Sequence, residues 1–394
     1  MITDWQGALD ALYGLTNWET RPPGTALSFE LDRMRRLLAG LGDPQHRWRA
    51  VHVGGTNGKG STCAMIAAGL RAAGHRVGLY SSPHLHTVRE RIQVDGRPIT
   101  EADVIAWLNQ QARLLDSLPG LTTFEALTAL AFDHFATAGA DFAVIEVGLG
   151  GRLDSTNVLE APELCVITPV GMDHAAVLGP SPAIIARDKA GIFKPGRPVV
   201  AAPQLPEVRA VLREEAAAVG CRLVEVEAEA TWSGGQALPG GGQRFDLALA
   251  DGAVEPVEIA LNGVFQRLNA ATAAVALREL DALGWGTGRR ERLAGLAAAR
   301  WPGRLEFWDT SAVLGRPGPV LVLDGAHNPP AGLVLYEALA ERWPGRPRHF
   351  ILGCSLDKDI EGLLAALLPG AASVSTFRAP HPRALSAAEL AARI

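Results

Sequence analysis

Cysteine is scarce and scattered in this sequence. Cys63, Cys165, Cys221 and Cys354 lie far apart with no CxxC pair, which argues against a zinc site or a disulfide framework and for inert thiols in a reducing compartment. Basic charge is not in excess either. The formal net charge is -5, so the chain lacks the global positive field that holds nucleic acid through its phosphates, and anionic ligands have to be bound locally. No stretch approaches the roughly 18 apolar residues of a membrane span. The first residues carry Asp4 and no basic segment ahead of an apolar run, which is not the pattern of a secretion signal, and the cytoplasm is the expected compartment. Internal repeats and low-complexity tracts are absent.

What is present is an ordinary globular composition, 48% hydrophobic and 20% charged, in a chain of 394 residues. That length exceeds what one core sustains, so two domains are expected. From Arg49 onward β-branched runs alternate with Ala-rich stretches, the pattern of an α/β fold with a mostly parallel sheet. Strands are expected at 50–53, 76–80, 141–147, 163–170 and 197–201. Thr100 with Asp103 opens one helix as a capping box, Ser181-Pro182 caps another, and the helix over 206–219 closes on Gly220. The glycine-rich stretch 229–261 breaks the rhythm and reads as a β-rich insertion, with two strands about an Asp251-Gly252 turn. Asn262 is expected to cap the Ala-rich helix that runs to about residue 283. The Trp-Pro-Gly-Arg run at 301–304 punctuates a linker, after which strands at 319–323, 348–352 and 372–376 alternate with helices from Pro329, over 359–367 and from Ser386. The expected division is a first domain over 1–298 and a smaller α/β domain over 299–394.

The strand ending at Val53 runs into Gly55, Thr56, Asn57, Gly58, Lys59, Gly60 and Ser61 and then into an apolar-periodic helix. Glycines let backbone N–H groups turn inward, the helix N-terminus adds positive potential, and Lys59 supplies a point charge for β/γ-phosphates. A glycine-rich turn with a solvated lysine is the plainer alternative, but the flanking strand and helix favour a phosphate cradle. Gly60 departs from the common phosphate-loop pattern, which has serine or threonine directly after the lysine.

Glu146 stands at the end of an apolar strand, where an unpaired carboxylate costs desolvation and Mg²⁺ is its natural partner. Thr122, Thr123, Phe124 and Glu125 form a T-x-x-E capping box, with Phe124 facing either the core or a ligand ring. Asn328 and Pro329 read as N-cap and first turn of a helix, which leaves His327 as a plain helix-start residue. His174 alone reads as a hydrogen-bonded loop histidine, and Lys189 as a surface or salt-bridged helix lysine. His84 and His86 lack the acidic neighbours of a metal site. The run Gly148-Leu149-Gly150-Gly151 has glycines enough for a dinucleotide fingerprint, but the spacing is wrong and no long helix follows, which excludes NAD.

The loop GTNGKGST at 55–62 resembles the nucleotide loop of folylpolyglutamate synthases and dihydrofolate synthases, relatives of the Mur ligases. The resemblance continues in order through SSPHL at 81–85, ERI at 90–92, TTFEALTAL at 122–130, VIEVGLGGRLDSTN at 144–157 and ITPVGMDHAAVLG at 167–179. It goes on through RDKAGIFKPG at 187–196, FQRLNAA at 265–271, WPGRLE at 301–306 and DGAHNP at 324–329. It implies a Mur-ligase-like P-loop ATPase domain followed by a Rossmann-like one. The implied activity is an ATP-dependent ligase that joins L-glutamate to dihydropteroate or to a reduced folate carrying a polyglutamate tail, through an acyl phosphate. The resemblance makes Ser82, Glu146 and His174 ligands of two Mg²⁺ ions, and sets Asn269, Arg304 and Asp324 against ATP. It sets the 122–125 segment and Leu153, Asp154 and Ser155 against the folate. It further implies a carboxylated Lys189 and a catalytic His327. Members of the family continue through a further strand and helix where this sequence stops at Ile394, so the C-terminal domain is expected to be either truncated or shortened. A monomer is expected, with no nucleic-acid or membrane partner. The rivals are a Mur-type cell-wall ligase, whose extra domain ahead of the ATP loop does not fit the 58 residues before Lys59, and a P-loop nucleotide-binding protein that ligates nothing.

Overall fold

The computed structural model describes residues 1–17, 31–250, 252 and 254–394. Its centre is an eight-stranded sheet made of β1 (Arg49–Gly54), β2 (Val77–Tyr80), β3 (Ile92–Val94), β4 (Arg97–Pro98), β5 (Phe142–Glu146), β6 (Leu164–Ile167), β7 (Val199–Ala201) and β8 (Leu223–Glu225). Their order in space is β4-β3-β2-β5-β1-β6-β7-β8. Pairing is parallel from β2 through β8, and β3 and β4 add antiparallel. Strands β1, β5 and β6 are buried on both faces, which is why they read in sequence as continuous apolar runs rather than alternating ones.

Helices cover both faces. Lys59–Ala72, Phe265–Ala282 and Arg289–Ala298 close one core with the insertion strands. Trp5–Gly14, Leu31–Gly40, Glu101–Asp116 and Thr123–Thr137 close another, and Pro182–Lys189 with Pro206–Val219 a third. The expected caps are in place at Thr100, Thr122, Ser181 and Asn328, and Gly220 ends its helix in the left-handed conformation.

Two expectations are corrected. The insertion holds three antiparallel strands, not two: β9 (Ala230–Ala237) precedes β10 (Gln243–Leu249) and β11 (Val254–Ile259), its pattern hidden by Gly234 and Gly235. Residue Asp251 of the expected turn lies outside the described residues. Asn262 caps nothing. The helix starts at Phe265 after Val264, while the Asn262 side chain accepts from Gly242 N–H at 2.7 Å and donates to the Leu305 carbonyl at 3.1 Å. It thereby ties the insertion to the chain after the linker.

That later part is smaller. An antiparallel pair, β12 (Glu306–Asp309) with β13 (Val320–Leu323), and a parallel pair, β14 (Arg348–Leu352) with β15 (Ala371–Thr376), carry helices Pro329–Arg342 and Ile360–Leu367. Its core is two modest clusters, one about Leu335, Leu339 and Leu367 and one about Ile360, Leu364 and Leu385.

Candidate active site

Register explains why the predicted residues converge. Val53 pairs with Glu146, Gly54 with Ile167, and Tyr80 with Ile145. The carboxyl ends of β1, β2, β5 and β6 therefore lie side by side, and the segments that follow them open onto one crevice, the place where open α/β sheets bind ligands. A cavity of about 970 Å³ occupies it.

The phosphate loop is built as its glycines require. Gly55 and Gly58 have φ of 138° and 87°, and a Cβ at either would collide with Thr168 or Asn269. The N–H groups of Thr56 and Asn57 are held by the Pro169 carbonyl at 3.0 and 3.2 Å. Helix Lys59–Ala72 starts without a side-chain cap, so the N–H groups of its first turn face the cavity mouth as an anion site. Lys59 Nζ rests 3.3 Å from the Thr56 carbonyl. Gly60 also has a reason for its departure from the common pattern, since a Cβ there would lie 2.6 Å from Trp301 Cζ2.

Glu146 is buried, and its pKa is raised by desolvation against the pull of Lys59; its carboxylate accepts from Ser82 N–H at 3.3 Å. A carboxylate so placed fits a cation whose remaining ligands are phosphate and water. Among the described residues no three His, Cys, Asp or Glu gather closely enough to hold a metal on their own. His174 lines the same cavity in a left-handed backbone conformation. Burial and then the Lys358 cation lower its pKa to about 4, which keeps the imidazole a neutral donor, and its Nε2 stands 3.5 Å from Lys358 Nζ.

Lys189 is not a surface lysine. It ends helix Pro182–Lys189, is 5% exposed, lines the cavity, and has its pKa lowered to about 7 by burial first and by Lys59 second. Its amine has no hydrogen-bond or ion-pair partner among the described residues. Neighbouring Asp188 does not pair with it.

From the C-terminal part come Arg304, Asp324 and His327. Asp324 accepts from Leu305 and Ala326 N–H groups at 2.7 and 2.8 Å, and burial raises its pKa. Arg304 packs on Gly325, and His327 Nδ1 meets the Gly325 carbonyl at 2.7 Å. Asn269 donates to Gln266 at 2.9 Å, and Gln266 in turn to Ser61 Oγ at 3.1 Å, which joins the phosphate loop to helix Phe265–Ala282.

At the cavity's other end the capping box Thr122–Glu125 is complete, and Arg33 grips Glu125 with Nε at 3.0 and 2.9 Å from its two oxygens. Thr123 Oγ1 donates to the Leu12 carbonyl, so Thr123 and Glu125 serve the fold while lining the site. Phe124 is half-buried against Gly148, and Leu153 is exposed, and both present apolar surface to the cavity beside Ser155. Asp154 is buried, takes the N–H groups of Leu149 and Thr156, and has its pKa raised by desolvation.

Sequence reasoning missed Asp173 and Lys358. Lys358 Nζ lies 2.7 Å from Asp173 Oδ1, and His327 and Asn328 reach the other oxygen. Burial works to raise the Asp173 pKa, but His327 and the Lys358 cation hold the carboxyl well below the usual range. Asp173 stood beside His174 in a quoted motif; Lys358 had no signal of its own.

Comparison with known proteins agrees with this geometry. Residues 53–277 match the family model described as Mur ligase middle domain, and residues 303–394 the one described as Mur ligase, glutamate ligase domain. A dihydrofolate synthase/folylpolyglutamate synthase of Bacillus subtilis is 36% identical, over 99% of this chain and 89% of its own. A folylpolyglutamate synthase of Lacticaseibacillus casei is 36% identical over 92% of this chain and 84% of its own. The solved folylpolyglutamate synthase of Mycobacterium tuberculosis, complexed with ADP and AMPPCP, is 35% identical with a TM-score of 0.84, over 93% of this chain and 83% of that one.

Proposed function

Because the chain belongs to the Mur ligase family, beside relatives named for folate, we propose that it is an ATP-dependent ligase joining L-glutamate to dihydropteroate, to a reduced folate with its polyglutamate tail, or to both. The observation that carries this reading is the convergence, in one cavity, of an uncapped phosphate loop, a buried carboxylate at Glu146, a near-neutral Lys189, and Arg304, Asp324 and His327 from beyond the linker. The working units are a nucleotide- and folate-binding domain over 1–298 and a domain over 299–394. Relatives named for folate favour this over a cell-wall ligase, and the second family match favours it over a nucleotide-binding protein that ligates nothing.

In the reaction, the substrate carboxylate attacks the γ-phosphorus of ATP, releasing ADP and leaving an acyl phosphate. The glutamate amine then attacks the acyl carbon, phosphate departs, and an amide remains. Lys59 and the first-turn N–H groups offset charge on the transferring phosphoryl group, with Asn269 and Arg304 beside the nucleotide and Asp324 fixing the Arg304 segment. Ser82, Glu146 and His174 would hold Mg²⁺, two ions in the fullest reading, which supplies charge neutralisation at the β/γ-phosphates. Phe124 and Leu153 offer faces for a pterin ring, with Thr122, Asp154 and Ser155 around it. His327 stays near the reacting end. The ligands are soluble metabolites, so a cytoplasmic monomer suits the reading.

Lys189 is the place for a carbamate. A neutral amine adds CO₂ and loses a proton to give an anion, and a buried lysine with a pKa of about 7 has that amine available at physiological pH. The test of the whole proposal is ADP release with Mg²⁺-ATP and glutamate, run with dihydropteroate and tetrahydrofolate separately. Release dependent on glutamate and on either acceptor is expected, and release with neither acceptor would end the folate assignment.

A further inference from the structure

Asp173 has no part in the reaction just described, yet its side chain joins several groups across the two proposed domains. Its side chain is 10% exposed. One oxygen takes Lys358 Nζ at 2.7 Å and the His174 N–H at 2.9 Å. The other faces Asn328 Nδ2 at 3.2 Å and His327 Nε2 at 3.4 Å. Three of these four groups come from beyond the linker. Asn328, 2% exposed, also exchanges two hydrogen bonds with Asn57 of the phosphate loop, at 3.2 and 3.3 Å, and accepts from Ala331 N–H at 3.0 Å. Its amide is thus fully engaged, with Asp173 on one side and the phosphate loop on the other.

We infer that Asp173 is a positioning residue: it docks the segment bearing His327 and Lys358 onto the first domain, in the one register that lets Asn328 meet Asn57. The physical reason is selectivity rather than stability. An ion pair whose side chains are largely buried gains little over two solvated charges, but a misplaced docking leaves Lys358 or Asp173 desolvated without its counter-charge, which is costly. Four convergent groups on one carboxylate also fix direction, so a sliding of one domain over the other breaks several bonds together. Docking of this kind orders the groups from the second domain for each turnover without touching the substrate.

The experiment compares wild type with Asp173→Asn, Lys358→Met, the double variant and Asp173→Glu. Tryptic cleavage at Arg300 and Arg304 in the linker, measured without nucleotide, reads docking alone. Titration with ADP reads nucleotide binding, which rests chiefly on Lys59, the loop glycines and Asn269 of the first domain, with Arg304 the contribution from beyond the linker. Each single neutral variant should cleave roughly tenfold faster and lose kcat by a similar factor, the double variant no more than either, because the two act as one unit. ADP binding should stay within about threefold of wild type, since Lys59 and the loop glycines are untouched. Asp173→Glu, which keeps the charge, should recover part of the protection. Additive losses in the double variant, or wild-type cleavage and kcat in Asp173→Asn, would overturn the inference. If Asp173→Asn does not fold, Lys358→Met decides alone by the same two readings. A wild-type protein that fails to bind ADP would instead overturn the nucleotide reading and leave the docking result standing.

Discussion

The two halves of the site are built to different standards. Strands β1, β5 and β6 are buried along almost their whole length, whereas β13 and β14 alternate between half-buried and exposed, with Leu321 and Leu323 at 45% and Ile351 at 70% exposure. The first half can desolvate charges and hold them still. Glu146 and Lys189 are shifted mainly by burial, which only a dense platform supplies. The second half contributes groups such as His327 and Lys358, which are placed by contacts to the Asp173 carboxylate rather than by dense packing. Fixed chemistry sits on the platform; the groups that arrive sit on the lighter part.

The largest effect that would sharpen this contrast is at Lys59. Lys59→Ala should abolish turnover, a loss beyond about a thousandfold, while leaving the fold intact, because a half-exposed cation at a helix start contributes little to the core. Circular dichroism and kcat measured on the same sample check it. A well-folded variant with wild-type kcat would remove the phosphate-loop assignment.

Next in size is Glu146→Gln. An amide coordinates Mg²⁺ poorly, so activity should fall at least about a hundredfold and the Mg²⁺ concentration for half-maximal rate should rise. An unchanged Mg²⁺ titration would make Glu146 a structural acid of the platform and break the division of labour drawn above.

The contrast in packing is tested by truncation. Leu164→Ala in β6, fully buried, should cost about 2–5 kcal/mol, whereas Leu321→Ala in β13 should cost under about 1 kcal/mol. Denaturant unfolding of the two variants gives the comparison directly. Equal losses would mean that the second half is as tightly built as the first.

Much of the platform was legible because its signals are local. A strand, the four residues 55–58 and the first turn of a helix carry the phosphate loop within one short stretch, and Glu146 is marked by being an acid at the end of an apolar run. The capping box at Thr122 and the serine cap at Ser181 are likewise complete within four residues. What failed was either short or distant. Strand β8 has three residues, and β12 and β9 are exposed enough that alternation is blurred. Asn262 looked like a cap because it precedes a helix, but its partners, Gly242 and Leu305, are remote in sequence. Asp173 and Lys358 stand 185 residues apart, and neither is unusual until the fold joins them.

The smallest effect concerns Lys189, and it depends on pH. In bicarbonate-free buffer its pKa is about 7 in the folded protein and 10.5 in the unfolded chain. Between those values the unfolded chain holds the proton and the folded one does not, so this group makes wild-type stability rise with pH across that window. Below pH 7 both states are protonated and the cost of burying the ammonium is fully expressed; above 10.5 neither is, and the cost is gone. Lys189→Met fills the same space without the charge. Its stability relative to wild type should therefore be greatest at pH 6, about 1–2 kcal/mol once water in the open cavity is allowed for, and should shrink by pH 9. Taking the difference between the two proteins at each pH cancels the other titrating groups. Thermal melts at pH 6 and 9 suffice, and a difference that stays flat with pH would show that Lys189 is solvated, which would remove both its neutral amine and the reason to place a carbamate on the platform.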